Sequence, residues 1–567
     1  VTKHKSIYIL GTGLSHDGST CILKDGKILV AIEKERITRI KHDGGNDHAT
    51  VQYCLDAAGI TVNDLSLVVQ CSNFEKDIQK SSYAGKRYFA EEIDVPFVTI
   101  SHHLAHAYSA IGTSPFNESN VLIIDGCGSP YQQCDDLEGA VCHVPQSDML
   151  VAEKDSYYNY NKGFVTPLIK DFSEFGTPEP GGIKLPTTKH SIGGLYSVFS
   201  NYVFGNMDDA GKLMGLAPYG DRSKYNVPLF DLTDGRVFVN EEAFEVLTHP
   251  SVGYDDFKAR FNYFADIAAW AQKEVEKAVL HTITSRLEHH YHPNLCYAGG
   301  VALNAVANAK ILKEGIVENL YIQPAAADNG LAIGCAYYGW LEVLKKEKQL
   351  HDGKTYFGRT YYETDILNDL STFKNENPGI NIHYEKADDV AYSTANYLAN
   401  GKIVAWYQNG AEFGPRALGN RSILANPRLP EVQAFINREI KFREDFRPFA
   451  PSVILDDVKQ YFSHGFESPY MILVDEVLPD YRGKLPGITH ADNSARVQTV
   501  TERMNGGYYA LLQAFKKQTG LSVLLNTSFN KRGMPIVETP YEAMSLFYET
   551  ALDVLVIGDY VFTKDNN

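Results

Sequence analysis

The sequence predicts an α/β protein of two domains, on three observations. Apolar runs end in a polar or glycine-rich turn and are followed by a helical pattern, as at residues 121–124 before Asp125-Gly126 and at 295–298 before Gly299-Gly300. The length, 567 residues, exceeds what a single hydrophobic core holds. The polar stretch 345–354 then interrupts the patterning, which places the boundary near 347–360 and the domains at 1–350 and 360–567.

The elements follow in chain order. Residues 6–11 read as a short apolar strand, and 20–24 with 27–32 as a hairpin closed by Asp25-Gly26, a strong turn signal. The protein therefore opens with a meander whose first turn carries His16 and Asp17. The charged segment 33–42 suits a solvated face. Residues 50–59 have the pattern of an amphipathic helix, and 66–71 that of a strand. Segment 101–110 is rich in small residues without Gly or Pro and reads as a helix. Residues 151–200, rich in Tyr, Gly and Pro, read as a long loop, either a lid or a surface excursion. Residues 264–290 have a helical period, and 295–305 read as strand, glycine turn and helix start. Backbone N–H groups at such a turn accept phosphate or ribose oxygens, though the Gly-Lys-Ser/Thr ending of a Walker A loop is missing.

Four residues form a candidate metal site. His102 and His106 are four apart, so on a helix they share a face with Cβ atoms about 5–6 Å apart. Asp125 ends the strand 121–124, and Asp328 precedes a second helix. Taken singly, Asp125 suits a turn and Asp328 a helix N-cap. Together, two imidazoles and two carboxylates neutralise a divalent ion, and mixed N/O ligands suit iron(II), manganese or zinc better than calcium. Lys212, flanked by Gly211 and by Gly215, suits a phosphate. The second domain carries different chemistry. Residues 401–450 hold eight Lys/Arg against five Asp/Glu in a chain of net charge −17. Arg416, Arg421, Lys441, Arg443 and Arg447 lie among Gly, Pro and apolar residues, and Arg496, Asn526 and Ser528 follow. Arginine forks match phosphate bidentately, so the reading is a pocket for a compact phosphorylated ligand; structural Arg–carboxylate pairs are the alternative.

Composition bounds the function. The net charge argues against a nucleic-acid or anionic-membrane partner. Eight scattered cysteines without Cys-x-x-Cys suit reduced thiols and a cytoplasmic location, and no apolar run is long enough to span a membrane.

The ordered motifs carry a resemblance. Residues 16–18, 35–42, 102–107, 125–126, 211–217 and 299–304, with 414–422, 447–451 and 525–530 in the second domain, resemble the O-carbamoyltransferases of nodulation-factor and antibiotic biosynthesis over nearly the whole chain. The resemblance implies an actin/sugar-kinase-like ATPase domain followed by a YrdC-like α/β domain. It implies that the second domain makes carbamoyl adenylate from carbamoyl phosphate and ATP. The first domain then passes the carbamoyl group to a hydroxyl of a small natural product, releasing AMP. Iron(II) is the implied metal, at His102, His106, Asp125 and Asp328. Gly126, Lys212, Gly300 and Asn304 are the implied nucleotide contacts of the transfer domain. Arg416, Lys441 and Arg447 are implied for ATP, and Arg496, Asn526 and Ser528 for carbamoyl phosphate. His16 is the candidate base, since imidazole titrates near neutral pH, with Lys41 as a charge partner for the adenylate. The acceptor stays open among aminoglycosides, macrolactams, β-lactams, sugars and guanidinium toxins, and a homodimer is left open. The rival readings are a tRNA-modifying threonylcarbamoyl fusion, whose tRNA partner would need a basic surface, a nucleotide-binding regulator on an actin-like fold and a metal-dependent hydrolase.

Overall fold

The computed structural model describes residues 5–71, 87–89 and 95–564. The chain divides into two compact units. The first comprises Val1–Lys34 and His42–His351, the second Glu35–Lys41 and Asp352–Asn567. Position in the chain assigns residues 35–41 to the first domain; the structure packs them with the second. The reason is polar. Arg36 is fully buried and donates from Nη2 to the Gly414 carbonyl at 2.8 Å. Arg39 donates to the carbonyls of Pro535 and Ile536, both at 2.8 Å, and pairs with Glu542 at 3.2 Å. The segment is therefore an anchored strap, and the solvated face expected for 33–42 is confined to Ile40, Lys41 and His42.

The first unit repeats one topology. β1 (Tyr8–Gly13), β2 (Ser19–Lys24) and β3 (Lys27–Glu33) form an antiparallel meander. β4 (Leu65–Cys71) and β5 (Phe97–Ile100) then add in parallel beside β1, giving the order β3-β2-β1-β4-β5. The second sheet is built alike from β6 (Glu118–Ile124), the short β7 (Val141–His143), β8 (Val151–Asn161), β9 (Phe164–Pro178) and β10 (Lys184–Thr188). β11 (Phe230–Thr233) and β12 (Arg236–Val239) make a separate hairpin, and β13 (Asn294–Ala298) and β14 (Asn319–Ile322) complete the sheet in parallel. The path β9-β8-β6-β13-β14 matches β3-β2-β1-β4-β5 in both order and sense. This duplicated meander-plus-parallel sheet is the actin/sugar-kinase architecture.

Residues 151–200 are a correction. They form β8, β9, β10 and the helix Ile192–Phe204, not a long loop. The β8–β9 turn is made at Lys162 (φ 47°) and Gly163 (φ 96°), the left-handed pair of a tight hairpin, as Asp25 (φ 51°) and Gly26 (φ 83°) make the β2–β3 turn. The tyrosines that suggested a loop are interior: Tyr157, Tyr158 and Tyr160 are buried.

Close packing of small residues brings the site together. A Cβ on Gly11 of β1 would lie 2.1 Å from the Ala332 carbonyl, and one on Gly334 would lie 1.8 Å from the Ala105 carbonyl. The helix Leu331–Tyr338 thus rests directly on β1 and on the helix His102–Thr113. Asp328, in the turn Asp328–Gly330 just before it, is delivered to the ends of both.

The second unit is built on an eight-stranded mixed sheet. Its strands are β15 (His383–Lys386), β16 (Val404–Tyr407), β17 (Arg421–Ala425), β18 (Ala450–Ile454), β21 (Gln498–Val500), β22 (Val523–Ser528), β23 (Val554–Ile557) and β24 (Tyr560–Thr563), in the order β15-β24-β23-β16-β17-β22-β18-β21. β19 (Val474–Glu476) and β20 (Ser494–Arg496) pair apart from it. Helices Glu363–Glu376, Val390–Ala399, Gly506–Thr519 and Pro540–Glu549 pack on it through Leu370, Leu398, Phe515 and Phe547, all buried. Both units are α/β, as the sequence predicts.

Candidate functional site

In the first unit, His102, His106, Asp125 and Asp328 converge, with one ligand atom from each all within 4.8 Å of one another. The helix His102–Thr113 starts beside the end of β5, and its first N–H groups are met from afar. The His102 N–H donates to Ser129 Oγ at 2.9 Å and the His103 N–H to Glu153 Oε2 at 3.3 Å. Glu153 is pinned by Lys170 at 2.6 Å. The two imidazoles then present Nε2 atoms 3.1 Å apart. His102 Nε2 lies 3.1 Å from Asp125 Oδ2 and 3.3 Å from Asp328 Oδ1. His106 Nε2 lies 3.6 and 3.7 Å from the same two oxygens. An ion with bonds of about 2.0–2.2 Å fits at the centre of a set with such edges. Outer contacts fix the carboxylates: Ser15 Oγ donates to Asp328 Oδ2 at 2.6 Å, and the Gly300 N–H to Asp125 Oδ1 at 2.9 Å. Burial disfavours a charged His102, yet the carboxylates of Asp328 and Asp125 raise its pKa well above the ordinary value. Burial likewise works against Asp125, and the two imidazoles hold it well below the carboxylate range. The cluster thus brings two imidazole nitrogens and two carboxylate oxygens together as a candidate site for a divalent ion. His103 turns away to Ser156 Oγ at 2.8 Å, and burial lowers its pKa to about 3.

His16 and Asp17 follow β1, and the structure adds His42 and Asp208, which the sequence reading did not join to them. His16 Nδ1 faces Asp17 Oδ2 at 3.2 Å, and its Nε2 faces Asp208 Oδ1 at 3.0 Å. His42 Nδ1 meets the other Asp17 oxygen at 2.9 Å. Burial lowers the His16 pKa, but hydrogen bonds to Asp17 and Asp208 outweigh it and raise the value to about 11. The resting residue is an imidazolium, not the base titrating near neutrality that its residue type suggests. Asp208 lies 192 residues along the chain, and no local pattern could have found it.

The implied nucleotide residues of this unit stand as follows. The Gly126 carbonyl accepts from the Thr188 N–H at 2.9 Å and from Ser191 Oγ at 3.0 Å. The Gly300 N–H is spent on Asp125. Asn304 caps the helix Ala305–Lys313 by accepting from the Ala307 N–H at 3.1 Å. Lys212 lies on the helix Ala210–Leu216 and pairs with Asp209 at 2.6 Å.

In the second unit the implied anion residues gather into one cationic cluster. Burial and the charge of Arg447 lower the Arg416 pKa to about 10. Burial, with Arg416, Arg443 and Arg447, pushes Arg496 well below its usual value. Burial, with Arg443, Arg447 and Lys41, does the same to Lys441. Among the described residues, no hydrogen-bond or ion-pair partner meets the side chain of Arg416 or Arg496, and both Nε atoms are buried. A structural ion pair has a carboxylate; these guanidiniums have none. Lys441 donates to the carbonyls of Ser528 and Asn530 and to Asn530 Oδ1 at 2.7 Å. Asn526 Nδ2 is fixed by the Ala417 carbonyl, Ser452 Oγ and Gln498 Oε1, which leaves a buried Oδ1 without a donor among the described residues. Lys41, expected to serve the first domain, belongs to this unit. Arg443 joins the cluster too: it donates to Asn437 Oδ1 at 2.7 Å and lies over the Phe449 ring at 4.8 Å. The sequence reading noted it in the arginine run without giving it a role.

A family model described as the carbamoyltransferase N-terminus matches residues 8–92 and 62–337, and one described as the carbamoyltransferase C-terminus matches 395–564. The chain belongs to the carbamoyltransferase family. Among relatives of this carbamoyltransferase, the nodulation protein NolNO of Sinorhizobium fredii is 31% identical, over 99% of this chain and 81% of that protein. The 3'-hydroxymethylcephem-O-carbamoyltransferase of Streptomyces clavuligerus is 25% identical, over 96% of both chains. Among solved structures, HypF of T. kodakarensis is similar over 61% of this chain and 49% of that one, at 15% identity and a TM-score of 0.38. No helix among the described residues is long and apolar enough to cross a membrane.

Proposed function

We propose that this carbamoyltransferase works in two steps, each in one unit, and that its product is an O-carbamoylated small molecule. The observation that carries the reading is the pair of unpartnered guanidiniums, Arg416 and Arg496, in a cluster whose charges repel one another. Such a cluster is costly when empty and suits a polyanion. In the second unit, read as YrdC-like, Arg416, Lys441 and Arg447 hold the phosphates of ATP. Arg496 and Ser528 hold carbamoyl phosphate, and the free Oδ1 of Asn526 accepts from the carbamoyl NH2. The product is carbamoyl adenylate.

In the first unit the adenylate lies against the turn Gly299–Asn304. Iron(II) is the metal proposed for His102, His106, Asp125 and Asp328, where a divalent ion supplies a Lewis acid when bound. Ser15 and Gly300 hold the carboxylates of that site in register. His16 is the proposed proton acceptor. Its two carboxylate contacts must be loosened first, so the acceptor hydroxyl is placed between His16 Nε2 and Asp208, where it displaces one of them. With that contact displaced, the His16 imidazolium first gives its Nε2 proton to solvent; the neutral Nε2 then takes the hydroxyl proton as the oxygen bonds to the carbamoyl carbon and the bond from that carbon to the phosphate oxygen breaks, AMP leaving with the electron pair.

The experiment is AMP formation from ATP with and without carbamoyl phosphate, in anaerobic iron(II) buffer. AMP that depends on carbamoyl phosphate is the expected result. ADP, or turnover indifferent to carbamoyl phosphate, refutes the reading.

A further inference from the structure

The helix Phe261–His289 carries polar side chains that the two-step reading leaves idle. Gln272 and Glu276 are both about 2% exposed, and they run toward Asn304. Gln272 and Asn304 form a reciprocal amide pair. Gln272 Nε2 donates to Asn304 Oδ1 at 3.1 Å, and Asn304 Nδ2 donates to Gln272 Oε1 at 3.0 Å. Tyr196 OH donates to the same Gln272 Oε1 at 2.7 Å, and Gln272 Nε2 also donates to Glu276 Oε1 at 3.2 Å.

The orientation of both amides follows from this chain of partners. Glu276 is ion-paired to Arg222 at 2.6 Å and to Lys310 at 3.4 Å, and a carboxylate only accepts. Gln272 must therefore turn its NH2 toward Glu276 and its carbonyl toward Tyr196. Asn304 is then obliged to answer with Oδ1 toward Gln272 Nε2, where Oδ1 also takes the Ala307 N–H as a helix cap. Both acceptor positions of Oδ1 and one Nδ2 proton are used. Among the described residues, what remains to Asn304 is one N–H.

We propose that Gln272 is a positioning residue for nucleotide recognition in the first unit. It locks the Asn304 amide so that the group offers an N–H, and never a carbonyl, to an oxygen of the bound adenylate. The inference rests on Asn304 being a nucleotide contact, and it adds what determines the contact's polarity. The ligand chemistry is an acceptor oxygen of AMP, on its phosphate or its ribose.

The test is a double-mutant cycle on the full chain: Gln272→Met, which keeps the volume, Asn304→Ser, which keeps the cap, and both together. AMP is titrated calorimetrically in a background carrying Arg416→Ala, so that the second unit's anion pocket does not report. Each single change is expected to weaken AMP roughly tenfold, the size of one hydrogen bond to a charged ligand. The double variant should be no weaker than Asn304→Ser, because Gln272 acts only through Asn304. Adenosine titrated in parallel separates the two oxygens: equal weakening assigns the ribose, and weakening of AMP alone assigns the phosphate. Carbamoyl-phosphate-dependent ATP–pyrophosphate exchange, measured with Arg416 intact, should be unchanged by Gln272→Met. If Asn304→Ser weakens AMP and Gln272→Met does not, the role of Gln272 is refuted and the nucleotide contact stands. If neither does, both fall. If Gln272→Met slows the exchange or its effect adds to that of Asn304→Ser, Gln272 is a structural residue only.

Discussion

Arg416→Met should make the ligand-free protein more stable and its response to anions smaller. Arg416 carries its charge at a pKa lowered from the ordinary arginine value to about 10 by burial and by Arg447, which corresponds to about 3 kcal/mol of penalty on the charged form in the fold. The sign follows from linkage. The group is protonated at neutral pH in both folded and unfolded chains, so the penalty is fully present below the lowered value. It is relieved only as pH rises through about 10 toward the ordinary arginine value. Met keeps much of the apolar stem and removes the charge. After some packing loss, a net gain of about 1–2 kcal/mol is expected, or about 2–8 °C in midpoint for a unit of this size. Pyrophosphate gives the opposite contrast. At a hundred times its dissociation constant it stabilises the native protein by about 2.7 kcal/mol, and most of that should vanish in the variant. The assay is thermal unfolding of both proteins at neutral pH, with and without pyrophosphate. A variant less stable than the native chain, with its anion response intact, refutes the reasoning, because it makes Arg416 a structural cation.

Three further outcomes follow from the geometry. His102→Ala should abolish stoichiometric iron(II) binding, read by elemental analysis after anaerobic loading, while leaving carbamoyl-phosphate-dependent ATP–pyrophosphate exchange in place. Asp17→Asn should lower the His16 pKa from about 11 toward the ordinary value, followed in the imidazole resonances by NMR. In the native protein, the stability that the His16 pairing contributes is fully present below about pH 6.5 and is lost as pH rises through about 11. Gly11→Ala places a methyl 2.1 Å from the Ala332 carbonyl, so β1 and the helix Leu331–Tyr338 must part. A loss of about 3 kcal/mol in chemical denaturation is expected, with weaker iron(II) binding because Asp328 moves with that helix.

What was legible in the sequence was whatever local chemistry determines. The i, i+4 spacing places His102 and His106 on one face wherever the helix sits, and the apolar run before Asp125 ends in a carboxylate whatever it pairs with. Residues 151–200 misled because composition reports on turns more loudly than on strands. Gly163 opens the turn into β9 and Pro178 ends that strand, while the tyrosines lie on β8, where Tyr157, Tyr158 and Tyr160 are all buried in an interior that only the sheet creates. The strap 35–41 was illegible for another reason. Its charges are typical of a solvated face, and what buries Arg36 is a backbone carbonyl 378 residues away, an acceptor that no side-chain pattern announces. The same holds for the polarity of Asn304. Its residue type permits donating or accepting, and the choice comes through Gln272 and Glu276 from two cations on separate segments, Arg222 and Lys310. Sequence thus shows which groups are present, and the direction in which an ambivalent group hydrogen-bonds is a property of the network. In this protein the network commits the Asn304 oxygen to Gln272 and to the helix cap and leaves one side-chain N–H among the described residues, which is the donor that the proposed ligand contact uses.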